Sequence, residues 1–297
     1  MNYTFIKQIG ILNFIYKFLK IKILKIMNKD KFTYKLITTK NYTIHKWDPF
    51  ASEVYLTQCF TDWGNEYLFL DSIKNRNNHI FLDIGCHSGY YPKLFEDYFN
   101  KIYGFEPSKK CFSILEKDNN KSQFYQYFVG NSEKIVTGID SKSGYSFYQK
   151  NFNHEKTSSE KINQITLDRF CLEKKLTNIT AIKIDVDGLD LEVLYGANKI
   201  IQSNRPSILI ENYSQNLINF FKDLDYSLLS MVSSKNKPYN LTLEKLDNFD
   251  KDKWIKMVCC IPNEYHKYYK NQNFIGNIFT GLNKKLIIKE FNLNFFG

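Results

Sequence analysis

His79-Ile80-Phe81-Leu82-Asp83-Ile84-Gly85-Cys86-His87-Ser88-Gly89-Tyr90-Tyr91 carries an apolar run of strand length to an acid, passes two glycines four residues apart, and turns helical in period. This is a strand, a tight turn and a helix start. Glycines let a ligand approach the backbone, and a helix N-terminus offers unpaired N–H groups. Taken alone, Asp-x-Gly-x-x-x-Gly is equally the β-to-α turn of any parallel sheet, so the segments downstream of Tyr91 have to decide between the two.

The chain has 297 residues, 43% hydrophobic and 16% aromatic, enough for one large two-faced core with extensions. That excludes a disordered chain. A formal charge of +10 would suit a polyanionic partner, yet the lysines are spread along the chain and not gathered in one block. Six cysteines, at 59, 86, 111, 171, 259 and 260, form no C-x-x-C pair and have no histidine at zinc spacing. Reduced thiols and no metal site are expected.

Residues 5–27 are apolar but interrupted by Lys7, Lys17, Lys20, Lys22 and Lys25, so no run reaches the ~18 residues a spanning helix needs. Asn13, Lys17 and Lys20 share one helical face, while Lys22 and Lys25 fall elsewhere. A helix packed on the domain or a partner is the simpler expectation; a basic helix lying on an anionic membrane surface is the alternative. No small-residue cleavage site follows, so a cytoplasmic protein is expected, with this helix as its one route to a membrane.

Residues 32–45 alternate like a strand, and 52–75 read as one helix. After the glycine turn, a second strand ends at Gly104-Phe105-Glu106-Pro107. An acid about 20 residues beyond the turn, at the next strand tip, can accept hydrogen bonds from both hydroxyls of a ribose. A third strand over 124–129 leads to Gly130-Asn131, where an adenine ring would be bounded by backbone and an amide. Residues 131–165 read as a loop-rich insertion.

Strands over 179–184 and 206–210 end at Asp185 and Glu211, and further strands are expected at 226–231 and 255–261. Strands alternating with helices predict a mostly parallel sheet with helices on both faces and a site at its carboxyl edge. Asp83, Glu106, Asn131, Asp185 and Glu211 all fall on that edge. The domain is bounded at 66–262, with a basic, apolar lead-in over 1–65 and a basic, aromatic extension over 263–297.

The acids Asp185, Asp187 and Asp190 do not form a calcium loop. Counting from Asp185, Asp190 falls where glycine is required and Gly196 where the bidentate glutamate belongs. A nicotinamide site is equally disfavoured, because Asp83 stands where Gly-x-Gly-x-x-Gly begins. The Asp-x-Gly form instead offers a carboxylate to a cationic cofactor end, which matches the amino group and sulfonium of S-adenosylmethionine.

The segments Phe81 to Tyr91, Gly104 to Pro107, Thr166-Leu167-Asp168, Ile182 to Ala197 and Ile208 to Glu211 together resemble the FkbM-type methyltransferases, in family order and over about residues 66–262. The resemblance implies a class I, Rossmann-like methyltransferase fold: a seven-stranded, mostly parallel sheet, its last strand inserted antiparallel. It also implies S-adenosylmethionine-dependent O-methylation of a sugar, glycan or small-molecule hydroxyl. Cofactor contacts fall on Asp83, Gly85, His87, Gly89, Tyr90, Glu106, Pro107, Asn131 and Asp185. Asp185 is expected at the reaction centre, Asp187 or Glu211 at the acceptor, and Lys183 against a carboxylate or the acceptor.

Four positions depart from the family pattern. Its usual Ala-Asn is Cys86-His87 here, and two usual glutamates are Asp187 and Asp190. The positive charge keeps RNA ribose methylation open as an alternative, with nucleic acid as partner, and the departures keep open a catalytically silent cofactor-binding module.

Overall fold

The computed structural model describes residues 10–266, apart from 28, 37, 39, 46–47, 58–60, 74–75, 77–78, 116–120, 142–143, 147–158 and 235–236. Most of the C-terminal extension therefore lies outside the described residues. The lead-in comprises helix α1 (Ile11–Ile26), a hairpin of β1 (Lys31–Lys35) and β2 (Asn41–His45), and helices α2 (Pro49–Thr57) and α3 (Asn65–Ile73). The single helix expected over 52–75 is thus broken. Trp63 and Gly64 have φ of 62° and 94°, values that end a right-handed helix.

The domain continues with β3 (Ile80–Ile84), α4 (Tyr90–Phe95), β4 (Lys101–Phe105), α5 (Lys109–Leu115), β5 (Ser122–Tyr125) and β6 (Phe128–Val129). Then come β7 (Lys134–Ser141), β8 (Gly144–Ser146), β9 (Ser159–Ile165), α6 (Leu167–Glu173), β10 (Ile179–Ile184), α7 (Asp190–Tyr195), α8 (Asn198–Asn204) and β11 (Ser207–Ile210). Last are α9 (Gln215–Lys222), β12 (Tyr226–Ser234), β13 (Lys237–Lys245), β14 (Lys253–Ile255), β15 (Val258–Pro262) and the short α10 (Asn263–His266).

The main sheet has the order β13-β12-β15-β11-β10-β3-β4-β5, with β14 also paired to β12. It holds nine strands where seven were expected. From β5 to β11 the pairing is parallel, and β15 runs antiparallel to both β11 and β12. The two extra strands both lie antiparallel on β12: β13 covers its outer edge, and β14 pairs with the part of β12 that runs on past β15.

Two expectations for the middle of the chain are corrected. The strand over 124–129 splits between two sheets: β5 joins the main one, and β6 pairs with β9. The loop-rich insertion is largely a four-stranded sheet of order β6-β9-β7-β8, because β-branched residues such as Ile135, Val136, Thr137 and Ile162 support a six-pair ladder between β7 and β9.

Period-two alternation divides the core into two layers. Phe81, Ala181, Leu209 and Cys259 face α2, α3 and α4, whereas Leu82, Ile182, Ile208 and Cys260 face α6 to α9. The described cysteines are all free and buried.

The Thr166-Leu167-Asp168 segment joins two helices of the second layer. Thr166 caps α6 by accepting from the Arg169 N–H at 3.2 Å, while the Asp168 carboxylate accepts the N–H groups of Lys199 and Ile200 at the start of α8, at 3.0 and 2.9 Å. An acid satisfying two first-turn donors at once is a structural pin. Asp168→Ala should destabilise the fold by about 1–2 kcal/mol in urea unfolding, with affinity for a nucleoside ligand unchanged. Lost affinity at native stability would refute the assignment.

Candidate active site

The glycine turn is built around an approach of two strand tips. A Cβ on Gly85 would lie 1.9 Å from the Asp185 carbonyl oxygen, and its φ is 75°. Only glycine lets β3 and β10 end this close. The turn's amides are largely occupied. Gly85 and Cys86 both donate to the Phe105 carbonyl, Gly89 donates to that of Cys86, and His87 donates to Glu106 Oε2 at 2.8 Å. The turn therefore positions side chains and is not an open anion cradle.

A cavity of about 220 Å³ opens at the carboxyl ends of β3, β4 and β10, with Phe50 of α2 over it. Of the residues singled out in the sequence, Gly85, His87, Tyr90, Glu106, Pro107, Lys183, Asp185 and Asp187 line it. Gly89, Asp83, Asn131 and Glu211 do not. Gly89 shapes the turn behind the cavity, with φ of 78°. Asp83 is fully buried beneath it. Asn131 is solvent-exposed, because the chain leaves the main sheet after β5; Phe128 lines the cavity instead. Glu211 reaches the cavity only through Asp185, with which it shares a hydrogen bond.

Lys183 is the electrostatic centre. It stands opposite Asp83 in the β10–β3 register. Its Nζ lies 3.1 Å from Asp185 Oδ2 and 3.6 Å from Asp83 Oδ1, donates to the Gly85 carbonyl at 3.0 Å, and sits over the Tyr91 ring. Burial works to lower its pKa, but Asp185 and Asp83 outweigh burial and hold the ammonium charged.

The carboxyl groups around it differ in state. Burial pushes Asp83 up to about 6, against the pull of Lys183. For Asp185 burial also works upward, yet Lys183 and the Glu211 hydrogen bond hold it below the usual carboxylate range. Glu211 is pushed up to about 9 by desolvation and by the Asp185 charge, so it is protonated at neutral pH. Glu106 reaches about 7 through burial, opposed by the N–H groups of Ser108 and His87 that fix its two oxygens.

His87 has φ of 48°, and its Nδ1 lies 3.1 Å from Ser88 Oγ and 3.8 Å from Asp48 Oδ2. Burial lowers its pKa, so the imidazole is neutral at pH 7. The acid at 190 has no place in the cavity: Asp190 is buried and accepts the Val186 N–H at 3.3 Å, folding the turn before α7.

The lead-in contributes two acids that the sequence pattern does not reveal as part of the site. Tyr91 donates to Asp62, and Glu66 accepts the N–H groups of Asp62 and Gly64 at 2.7 and 2.9 Å. Burial raises Asp62, and burial with the nearby Asp62 charge pushes Glu66 to about 8. The available signal is Asp62-Trp63-Gly64-Asn65-Glu66, two acids flanking a glycine inside an otherwise apolar helical period.

Glu106, Asp185 and Asp187 present three carboxyl groups to the cavity, while Lys183 is turned onto Asp83, Asp185 and a carbonyl. That donor set fits a ligand with hydroxyls at one end and positive charge at the other. With a parallel sheet and an acid at the second strand tip, it is the arrangement expected of a nucleoside-binding site. The chain belongs to the FkbM methyltransferase family: the model of the Methyltransferase FkbM domain matches residues 83–235. S-adenosylmethionine is the cofactor that goes with it.

Among solved structures, the chain is similar to the methyltransferase FkbM from Methylobacillus flagellatus KT, at 14% identity over 73% of this chain and 55% of that one, with a TM-score of 0.40. The match thus spans about half that protein's length. It is also similar to the precorrin-6y C5,15-methyltransferase of Geobacter metallireducens GS-15, at 8% identity over 66% of this chain and 87% of that one, TM-score 0.38. A third is SMU.1697c of Streptococcus mutans in complex with SAH, at 12% identity over 67% of this chain and 98% of that one, TM-score 0.36. No curated protein matches the chain.

Asp83 gives a stability test. No hydrogen bond within 3.5 Å reaches either of its oxygens, Lys183 Nζ standing 3.6 Å from Oδ1, and burial raises its pKa from 3.8 to about 6. A carboxyl raised on folding weakens the fold as pH climbs from its unfolded value to its folded one. Asp83→Asn cannot ionise, so its stability relative to wild type should rise between about pH 4 and 7, by ~1–3 kcal/mol in urea titrations. A pH-independent difference would show that the carboxyl is not held as described.

Proposed function

We propose that the chain transfers the methyl group of S-adenosylmethionine to a hydroxyl oxygen of a sugar, glycan or related hydroxylated acceptor. The observation that carries this reading is Asp185: ionised by Lys183 on one side, bonded to a protonated Glu211 on the other, and standing in the cavity wall. Methyl transfer forms the acceptor O–C bond as the C–S bond breaks, and the hydroxyl proton must leave to a base.

Asp185 is a weak base for a free alcohol. The acceptor's acidity rises steeply as its oxygen gains the methyl carbon, so a fixed carboxylate suffices late in the displacement. Alignment of oxygen, carbon and sulfur carries much of the rate, which makes rigid placement of Asp185 more valuable than basicity. Asp187, on the opposite turn, orients the acceptor, and Lys183 fixes Asp185. Glu106 accepts the ribose hydroxyls, and Pro107 with Phe128 offers apolar surface to the adenine. His87, neutral, lines the wall between them.

The sugar class rests on a second feature. An open cleft is lined by Trp63, Tyr213, Phe249, Asp250, Lys253 and Trp254; Trp63 follows Asp62, which accepts from the cavity residue Tyr91, and Tyr213 lies two residues past Glu211, which is bonded to Asp185. Aromatic faces beside charged groups suit the apolar and hydroxyl faces of a pyranose.

Isothermal calorimetry with S-adenosylhomocysteine tests the cofactor end: Glu106→Gln should weaken binding at least about tenfold, a loss of ~1.4 kcal/mol. Labelled methyl transfer to a glycoside panel tests the rest. Asp185→Asn should lower kcat by about 100-fold or more with binding retained. Transfer at the wild-type rate in Asp185→Asn, or failure of the wild type to bind, would overturn the reading.

A further inference from the structure

Helix α1 is turned inside out relative to an ordinary surface helix. Lysines stand on its inner side. Lys17 Nζ donates to the Tyr55 carbonyl at 3.0 Å and lies 4.2 Å from the centroid of that ring, and Lys20 stands over the rings of Phe32 and Tyr55. Phe14 and Ile21 complete the inner face.

The outer face is apolar. Leu12, Ile15, Tyr16, Leu19, Ile23 and Ile26 recur at helical spacing and point to solvent, with Leu12 80% and Ile26 82% exposed. A soluble helix does the reverse, placing its apolar stripe on the core. A contiguous exposed stripe of this length marks a surface that meets something apolar.

Charge identifies what it meets. The first 29 residues contain six lysines and no aspartate or glutamate, and Lys22 and Lys29 are exposed. A second copy of this chain would bring the same lysines together across a two-fold axis. The segment 267–297, with five lysines and one glutamate, carries the same sign. An anionic lipid bilayer has the complementary charge and an apolar layer beneath it.

We propose that α1 seats the protein on anionic phospholipid membranes, its outer face entering the boundary between headgroups and acyl chains while the exposed lysines engage lipid phosphates. Sixteen residues give a helix of about 24 Å, short of the ~30 Å hydrocarbon core. No helix among the described residues is long and apolar enough to cross a membrane. The helix lies in the interface. Because α1 rests on α2, which also carries Phe50 of the cavity, the active site stands one helix away from the bilayer.

Flotation of the full chain with vesicles tests the assignment without any activity readout. The protein should float with vesicles of about 30% phosphatidylglycerol in phosphatidylcholine, at least about tenfold more than with phosphatidylcholine alone, and raising NaCl to about 0.5 M should reduce the difference. The double substitution Leu19→Glu, Ile23→Glu alters only outward-facing side chains, so it should lower flotation about tenfold or more with an unchanged thermal midpoint and unchanged S-adenosylhomocysteine binding. Equal flotation of wild type and variant would overturn the proposal. So would a wild-type dimer in sedimentation velocity that the same substitutions dissociate, with no flotation, since that outcome assigns the face to a second copy.

Discussion

A single buried ammonium organises the centre of this protein. Lys183 emerges from β10 on the face shared with Asp83, in register with it on β3, and the sheet places both deep inside the layer that α3 and α4 cover. A lone charge there would be expelled or neutralised. It persists because three groups meet it: the Asp185 and Asp83 carboxylates and the Gly85 carbonyl. The last explains the glycine. With any side chain at 85 the β3 tip would be pushed from Asp185, and the carbonyl that completes the lysine's shell would leave with it.

Around that cation the acids differ in charge state. Asp185, closest, is ionised. Asp83 and Glu106 are raised to about 6 and about 7 because burial outweighs what Lys183 returns to them, while burial with the Asp62 charge takes Glu66 to about 8 and desolvation with the Asp185 charge takes Glu211 to about 9. One ammonium cannot compensate so many carboxyl groups, and the protein answers by keeping several protonated near neutrality. A cationic ligand entering the cavity joins the side that is short of charge. The same imbalance that weakens the fold therefore favours a sulfonium and an ammonium over a neutral or anionic guest.

Much of this architecture is legible in the sequence because it depends on local rules. The strand-turn-helix at 79–91, the acid at 106 and the alternation of strands and helices follow from periodicity and glycine placement. So does the cluster of Gly85, Glu106 and Asp185 at one edge. The illegible parts depend on tertiary geometry. Nothing local says that the chain leaves the sheet after Tyr125 and carries Asn131 into solvent, or that β12 takes β13 on its outer edge and β14 beyond the end of β15. Asp83 reads as a cofactor contact by position, yet its strand places it under the cavity, where it holds Lys183. The acids Asp62 and Glu66 are hidden by the helical period of their neighbours.

The departures at 86, 87, 187 and 190 separate once their backbone is known. Cys86 and Asp190 are buried, and Asp190 folds a turn. His87 and Asp187 stand in the cavity wall, and both have φ of 48°. The left-handed region is costly for most side chains but is visited several-fold more often by Asn, Asp and His. The usual asparagine has thus been exchanged for another residue of that set, and the usual glutamate for the shorter acid that tolerates the conformation better. Both turns thus carry residue types suited to their left-handed backbone, and both present a polar group to the cavity. Substitutions at 87 and 187 change what the cavity wall presents without touching the contacts of Lys183, because both side chains come from the turns above the strands that carry that network.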